Sequence, residues 1–289
     1  MAGRRRRRIT VPPTAGVPDP VPLDLPGRGR TVVTDIGPRD APALFLLHSV
    51  ACTGLLTWYP ALARLARHHR VVVFDQRWHG RGIRSPEFRL ADCADDVTAV
   101  ADALGIGRFA IAGYSMGGLV AQLAARAEPE RVTGLVLCST AGHFGRGLRQ
   151  RVALEVFGRT LRRLRERVPP PAVPAPIGPA ALPRERLADR RWGLREFRST
   201  TPWEIAVAVD EIGRFDSRPW LHTLRLPAAV VVTARDRFIA PAHQRSLAHR
   251  IPGAATYEVA AGHAACVLAA DRWVPALLAA VGSLRGRKP

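Results

Sequence analysis

Cysteine is scarce in this sequence of 289 residues, and its spacing indicates neither a metal site nor a disulfide framework. The four cysteines, Cys52, Cys93, Cys138 and Cys266, lie far apart, and no two of them form the C-x-x-C pair that is typical of zinc sites. Isolated free thiols are typical of proteins in a reducing compartment. We therefore expect a cytoplasmic protein that uses no metal and no other cofactor.

Long apolar runs are also missing. No run approaches the about 20 apolar residues that a membrane-spanning helix needs, so no membrane span is expected. Residues 1–8 carry the positive charge of a signal peptide's first region, but residues 11–20 are broken by prolines. Such a segment cannot supply the apolar stretch that must follow in a signal peptide, so export is not expected.

Lysine is almost absent, because Lys288 is the only one, and the formal net charge of +19 therefore comes from arginine. A basic surface is the electrostatic signature of phosphate binding. No helix-turn-helix, zinc-finger or RNA-binding motif accompanies the charge, however, and the use of arginine throughout is typical of a genome-wide codon bias. We therefore expect no nucleic-acid partner.

Short apolar runs alternate with helical patterns along most of the chain. The runs cover residues 43–47, 71–74, 109–112, 134–137, 228–233 and, more weakly, 255–259. Runs that are apolar at every position are typical of strands buried in a parallel sheet. Their alternation with helices predicts an α/β fold with a mostly parallel central sheet covered by helices on both faces.

The alternation stops between the runs that end at residue 137 and begin at residue 228. A helical pattern over 150–168, a proline-rich stretch over 169–183 and a second helical pattern over 184–213 fill this interval. A flexible linker is one interpretation, but a segment with aromatic residues such as Trp192, Trp203 and Trp220 is too apolar for a linker. We therefore predict a helical lid inserted between two sheet strands, at the carboxyl edge where ligands bind.

These patterns give the expected domain boundaries. We expect a poorly ordered basic arm over 1–30, an α/β core over 31–142 and 222–289, and the lid over 143–221. The positive charge is concentrated outside the core, since residues 146–198 alone hold 14 arginines against five acidic residues.

A glycine-flanked serine lies between an apolar run and a helical pattern. The segment Gly113-Tyr-Ser115-Met-Gly117 has the pattern G-x-S-x-G, residues 109–112 precede it, and a helical pattern continues to Ala127. Where a strand turns sharply into a helix, a serine hydroxyl points away from the backbone and beside the first helical amides, as a covalent nucleophile requires. The pattern alone also occurs by chance in glycine-rich turns, but its flanks favour Ser115 as a nucleophile.

A serine nucleophile needs a base and a carboxylate that orients the base. Asp236 follows the predicted strand that ends at Thr233, and His263 follows the strand that ends near Val259. Both positions lie in loops at the carboxyl ends of strands, and the chain order is serine, aspartate, histidine. The sequence therefore predicts a catalytic triad of Ser115, His263 and Asp236.

Together these motifs resemble the α/β-hydrolase superfamily from about residue 30 onward. The segment 74–85, F-D-Q-R-W-H-G-R-G-I-R-S, is similar to the family's D-x-R-G-x-G-x-S turn. The segment His48-Ser49-Val50 is similar to its H-G-x loop, with serine in place of glycine. The resemblance implies an oxyanion hole formed by the backbone N–H groups of Val50 and Met116, although the serine at 49 leaves the shape of that loop open.

Other polar residues near these motifs have structural explanations. His48 and His79 are expected to be structural, with their rings bonded to nearby backbone. The sequence favours turn or cap positions for three aspartates: Asp75, Asp95 and Asp96. Cys52 and Cys266 are expected to line the site at most. The sequence offers no partner for four further histidines: His143, His222, His243 and His249.

The serine at position 115 separates this chain from epoxide hydrolases and haloalkane dehalogenases, which carry aspartate there. The resemblance therefore implies a hydrolase that cleaves a small-molecule ester or thioester through an acyl-serine. Two alternatives stay open: a carbon–carbon bond hydrolase or cofactor-free, haloperoxidase-like perhydrolase with the same triad, and a catalytically silent ligand-binding scaffold.

The expected partner is a small-molecule acyl substrate. The arginine surplus of the predicted lid suggests an anionic one, because a cleft covered by one sign of charge concentrates the opposite sign. Solvated arginines that only reflect genome composition are the alternative.

Overall fold

An eight-stranded sheet forms the centre of the computed structural model, which describes residues 16–144 and 189–286. The strands are β1 (Val21–Leu25), β2 (Gly29–Ile36), β3 (Ala43–Leu47), β4 (Arg70–Phe74), β5 (Phe109–Tyr114), β6 (Val132–Cys138), β7 (Ala228–Thr233) and β8 (Ala255–Val259). Their order across the sheet is β1-β2-β4-β3-β5-β6-β7-β8. Strands β3 to β8 run parallel, and β2 pairs antiparallel with both β1 and β4.

Helices connect most of the parallel strands. They are α1 (Gly54–Leu65), α2 (Leu90–Ala103), α3 (Met116–Ala127), α4 (Asp189–Arg198), α5 (Pro202–Arg214), α6 (Pro241–Arg250), α7 (Ala265–Leu268) and α8 (Ala270–Gly282). Two short 3₁₀ turns, Leu221–Thr223 and Ser283–Gly286, complete the described part. Among the described helices, none combines the length and the apolar character that crossing a bilayer requires.

Both faces of the sheet are covered, as the apolar runs predict. Phe45 and Leu47 of β3 belong to the apolar cluster that includes α2 and α3. Leu44 and Leu46, on the opposite face, belong to the cluster that includes α1 and α8. All four side chains are fully buried. The predicted α/β architecture with a mostly parallel sheet is confirmed, and its burial on both faces explains why these strands are apolar at every position.

The strand order reverses next to β3. The chain passes from β3 outward to β4 and then returns to β5 on the other side of β3. The loops after β3 and β5 therefore diverge and leave a crevice at the carboxyl edge of the sheet, the place where open α/β sheets bind ligands. His48 follows β3 and Ser115 follows β5 at this crevice.

The structure corrects the boundary of the amino-terminal arm. Residues 21–30, which lie within the predicted poorly ordered arm, contain β1 and the beginning of β2. Leu25 is buried, and Arg28 Nε lies 2.7 Å from Oδ1 of the buried Asp96. Pro22 obscures this strand in the sequence, but an edge strand tolerates proline because one side of it makes no ladder hydrogen bonds. Residues 1–15 of the predicted arm lie outside the described residues.

The insertion between β6 and β7 contributes α4 and α5 to the described structure. The predicted patterns over 150–168 and 169–183 lie outside the described residues. Helix α4 packs on α1, with the ring centroids of Trp192 and Tyr59 5.2 Å apart. The hydroxyl of Thr200, between the two helices, accepts a hydrogen bond from Gly80 N–H at 3.1 Å. Because Gly80 lies in the loop after β4, α4 and α5 lie near the carboxyl edge of the sheet.

Candidate active site

Ser115 lies in the turn between β5 and α3 and has an unusual backbone conformation. Its φ is 52° and its ψ is −115°, a region that residues with a side chain rarely occupy. The surrounding structure holds this conformation, because the carbonyl oxygen of Ser115 accepts hydrogen bonds from the Thr140 hydroxyl at 2.8 Å and from Gly118 N–H at 2.9 Å. Strain of this kind is maintained where it positions a functional group.

Two glycines make the turn sterically feasible. A Cβ at Gly113 would lie 2.3 Å from the carbonyl oxygen of Gly117, and a Cβ at Gly117 would lie 2.3 Å from the carbonyl oxygen of Leu47. Both obstacles are backbone atoms, so no side-chain rotation relieves them. The G-x-S-x-G spacing is therefore required by the close packing of the start of α3 against β5 and the end of β3.

The three residues of the predicted triad lie together. His263 Nε2 lies 3.0 Å from Ser115 Oγ, and His263 Nδ1 lies 2.7 Å from Asp236 Oδ2. Each residue follows a parallel strand, namely β5, β7 and β8, so the carboxyl ends of these strands bring distant parts of the chain to one point. Distances of this size allow a proton to move between the hydroxyl and the imidazole.

The carboxylate of Asp236 is buried and fully hydrogen-bonded. Oδ1 accepts hydrogen bonds from Phe238 N–H at 2.8 Å and Ile239 N–H at 3.0 Å. Burial raises the pKa of Asp236, but the hydrogen bond and charge interaction with His263, together with the two backbone donors, outweigh it and hold the pKa below its usual value. Asp236 is therefore ionised at neutral pH, and it fixes the Nδ1 proton of His263 so that Nε2 is free to accept one.

Three further residues, which the sequence does not predict as part of the site, support the triad through hydrogen bonds. Thr233 Oγ1 donates to Asp236 Oδ2 at 2.8 Å, and Gln244 Nε2 lies 3.2 Å from the same oxygen. The Tyr114 hydroxyl donates to the carbonyl oxygen of His263 at 2.6 Å and so holds the loop after β8. A threonine at the end of the apolar strand β7 is a weak sequence signal, whereas nothing in the sequence marks Gln244.

The predicted oxyanion donors lie at the same crevice. Met116 is the first residue of α3, and Val50 lies in the turn after β3. Within the residues that the structure describes, neither N–H group has a hydrogen-bond acceptor. Ser49, which replaces the family's glycine, does not need a left-handed backbone here, because the positive φ of this loop, 62°, falls on Ala51. The serine is therefore compatible with the loop.

Comparisons with known proteins agree with this architecture. A family model described as "alpha/beta hydrolase fold" matches residues 42–177. The crystal structure of the enol-lactonase from Burkholderia xenovorans LB400 superposes with a TM-score of 0.72, covering 91% of this chain and 100% of the lactonase at 26% sequence identity. The chain belongs to the α/β-hydrolase superfamily.

Curated relatives of this α/β hydrolase match it over parts of their length. The polyketide synthase ThaQ of Burkholderia thailandensis is 30% identical over 276 residues, which are 89% of this chain but 12% of the synthase. The 3-oxoadipate enol-lactonase 1 of Acinetobacter baylyi is 37% identical over 95 residues, which are 32% of this chain and 35% of the lactonase. The chain therefore spans a small part of the synthase, and its alignment with the lactonase covers about a third of that enzyme.

Two histidines of this α/β hydrolase are structural, as the sequence predicts. His48 Nδ1 donates to the carbonyl oxygen of Ser49 at 2.8 Å, and its Nε2 accepts from Gln76 N–H at 2.8 Å. Burial lowers the pKa of His48 to about 4. His79 Nδ1 donates to the carbonyl oxygen of Arg77 at 2.9 Å, and burial lowers its pKa to about 3. Both rings are neutral at physiological pH and brace the loops around the crevice.

Two aspartates outside the predicted triad, Asp75 and Asp96, have different structural roles. Asp75 caps α1, as the sequence predicts, because its Oδ1 accepts from Gly54 N–H at 2.8 Å. The prediction that Asp96 is a turn or cap residue is wrong, because Asp96 lies within α2 and is fully buried. It forms ion pairs with Arg28 and Arg77 at 2.7 and 2.8 Å. Removing both guanidinium partners of Asp96 would leave a buried charge unpaired, which is costly in free energy.

The cysteines nearest to the site are unreactive thiols. Burial raises the pKa of Cys52 to about 11 and the pKa of Cys266 to about 12. Both thiols are therefore protonated at neutral pH, and the thiolate is the reactive form of cysteine. Neither thiol is therefore expected to act as a nucleophile in place of the predicted Ser115.

Proposed function

We propose that this α/β hydrolase is a serine hydrolase that cleaves a small-molecule ester or thioester through an acyl-serine intermediate. The observation that carries the proposal is the continuous hydrogen-bond chain from Ser115 Oγ through His263 to Asp236. The relatives support the ester class, because two of them are enol-lactonases and a lactone is a cyclic ester.

The proposed first step is attack by Ser115. His263 Nε2 removes the proton from Oγ as the oxygen bonds to the carbonyl carbon, and ionised Asp236 stabilises the resulting imidazolium. Negative charge develops on the carbonyl oxygen, which accepts hydrogen bonds from the N–H groups of Met116 and Val50. The positive end of the α3 dipole adds to this stabilisation.

In the second step the tetrahedral intermediate collapses. The bond from the carbonyl carbon to the leaving oxygen or sulfur breaks, and His263 Nε2 gives its proton to that atom. A water molecule then attacks the acyl-serine, with His263 again acting as the base. As the bond from the acyl carbon to Oγ breaks, His263 returns the proton from the water to Ser115 Oγ. The products are the alcohol or thiol released in the acylation step and the free acid, and the Ser115 hydroxyl is regenerated.

We propose further that α4 and α5 form part of a lid over this site. The Thr53 hydroxyl, at the start of α1, donates to Glu196 Oε2 of α4 at 2.7 Å, and Arg81 of the loop after β4 lies 3.4 Å from the same oxygen. Both contacts anchor the insertion to loops at the carboxyl edge, where a lid belongs.

We propose in addition that the substrate carries a negative charge. Arg235 and Arg237 are exposed on either side of Asp236, and neither forms an ion pair with any residue in 16–144 or 189–286. If these cations attract the substrate, an anionic ester is preferred over a neutral ester with the same acyl group. Raising the salt concentration then reduces that preference, since salt screens exposed charges. A preference that salt does not change contradicts the hypothesis.

A substrate panel tests the proposed function. Wild-type protein and Ser115→Ala are assayed on acyl esters, acyl thioesters, lactones and diketo acids, with acid release as the readout. We expect turnover of esters or thioesters by the wild type and a loss of about 10³-fold or more in Ser115→Ala. Turnover of diketo acids alone points to carbon–carbon hydrolysis. Inactivity on the whole panel favours the silent scaffold.

A further inference from the structure

One large apolar side chain beside the candidate site is unusually exposed. Phe238 is 84% exposed, whereas Val21, Leu194, Phe197 and Leu268, the other large apolar residues that are exposed in the described part, lie between 47% and 58%. A single exposed apolar residue is common on protein surfaces and proves nothing by itself. Phe238 differs from the other exposed apolar residues in its position next to the candidate site.

The Phe238 ring lies against the imidazole of the candidate base. The ring centroids of Phe238 and His263 are 5.5 Å apart, with an interplanar angle of 53°. The backbone of Phe238 is fixed, because its N–H donates to Asp236 Oδ1 at 2.8 Å and the next residue, Ile239, is buried and bonds to the same oxygen. One carboxylate thus orients both the imidazole and the segment that carries the exposed ring.

The geometry of acyl transfer indicates which part of a substrate lies next to the Phe238 ring. His263 Nε2 faces Ser115 Oγ at 3.0 Å, and in acyl transfer the same nitrogen must protonate the leaving oxygen or sulfur. The leaving group therefore lies within hydrogen-bond reach of the imidazole. In the proposed mechanism the carbonyl oxygen, in contrast, accepts hydrogen bonds from the N–H groups of Val50 and Met116. A ring whose centroid lies 5.5 Å from that of the imidazole is placed to contact the leaving group.

We propose that Phe238 binds the leaving group of the substrate, and that this leaving group is an alcohol or thiol with an apolar or aromatic portion next to the scissile bond. The inference rests on the proposed function, because only acyl transfer at Ser115 makes His263 a proton donor to a leaving group. Contact with an apolar ligand removes the exposed ring surface from water, which is favourable. Phe238 is then a specificity residue that reads the leaving group and not the acyl group.

A leaving-group series with one acyl group tests this assignment. Benzyl acetate and methyl acetate form the same acetyl-enzyme, so their deacylation is identical and only acylation differs. We expect Phe238→Ala to lower kcat/KM for benzyl acetate by about tenfold more than for methyl acetate, because the apolar contact is lost for the larger group alone. Phe238→Leu, which keeps an apolar surface, recovers most of that difference.

Val21→Ala is the matched control, since Val21 is also exposed and apolar but lies on the edge strand β1. We expect this variant to show wild-type selectivity. Equal losses of Phe238→Ala on both acetates overturn the proposal and make the ring a support for His263. The absence of any loss in Phe238→Ala on either acetate also overturns it. A wild-type protein that hydrolyses neither acetate nor any other ester contradicts the proposed function itself.

Discussion

Replacing Asp236 by asparagine tests the hydrogen-bond chain that orients the base. Both carboxylate oxygens act only as acceptors: Oδ1 receives the N–H groups of Phe238 and Ile239, and Oδ2 receives His263 Nδ1 and the Thr233 hydroxyl. The two backbone donors cannot reverse, so the amide oxygen of Asp236→Asn must take the Oδ1 position. Its NH₂ group then faces His263 Nδ1.

The consequence is a change of tautomer. An imidazole that faces a donor at Nδ1 must carry its proton on Nε2, and it can then no longer accept the proton of Ser115. Loss of the correct tautomer costs about 10⁴-fold in kcat in comparable triads, or about 5.5 kcal/mol of transition-state stabilisation. We expect this loss for Asp236→Asn in hydrolysis of whichever ester the panel identifies, with an unchanged circular dichroism spectrum.

A turnover of Asp236→Asn within about tenfold of wild type refutes this reasoning. The acid would then have to come from elsewhere. Asp210 and Asp216 are the nearest aspartates that precede β7 in the described chain, and they form ion pairs with Arg214 and Arg218. Neither forms a hydrogen bond with His263 in the described structure, so we expect substitutions there to have little effect on kcat.

Three further predictions concern packing and stability. Gly117→Ala is expected to destabilise the fold by about 1–3 kcal/mol and to abolish turnover, because the new Cβ would collide with the backbone of Leu47. Gly262→Ala is the control, since its Cβ would lie no closer than 3.6 Å to any atom beyond the adjacent residues. We expect this control to keep the wild-type Tm in thermal melts and the wild-type turnover in assays. Deleting residues 1–28 is expected to lower Tm, because it removes β1, whereas deleting residues 1–15 is not; equal Tm values for both truncations contradict this. Burial raises the pKa of Glu196, so its charge costs stability as pH rises above the unfolded value of about 4.3. The Tm of the wild type is therefore expected to decrease as the pH rises through this range, and the Tm of Glu196→Gln is expected to decrease less. Parallel plots of Tm against pH for the wild type and Glu196→Gln contradict this prediction.

The sequence predicts the buried strands better than the edge of the sheet. Strands β3, β5 and β7 are apolar at nearly every position because both faces of the sheet are covered. Strand β1 is an edge strand, half-exposed and interrupted by Pro22, so its composition is that of a loop. Its presence depends on pairing with β2, which is a tertiary contact that no local pattern reports.

The same distinction applies to the candidate site. Ser115, Asp236 and His263 can be predicted because each follows a recognisable strand in a fixed chain order. Phe238 and Glu196 cannot be predicted in this way, because their roles depend on contacts between distant parts of the chain. Phe238 lies beside His263. Glu196 accepts a hydrogen bond from Thr53, which lies 143 residues earlier in the sequence. The pairing of His143 with His243, whose ring centroids are 5.0 Å apart, escapes the sequence for the same reason.

The most direct test of the account is covalent labelling of the candidate nucleophile. A fluorophosphonate probe reacts with an activated serine and with no ordinary one, because only an adjacent base makes the hydroxyl nucleophilic. Intact mass and peptide mapping are expected to show one adduct, on Ser115, that forms in wild type and is absent from Ser115→Ala. Labelling of Ser115→Ala at the wild-type rate, or no labelling of the folded wild-type protein, contradicts the claim that Ser115 is the activated nucleophile.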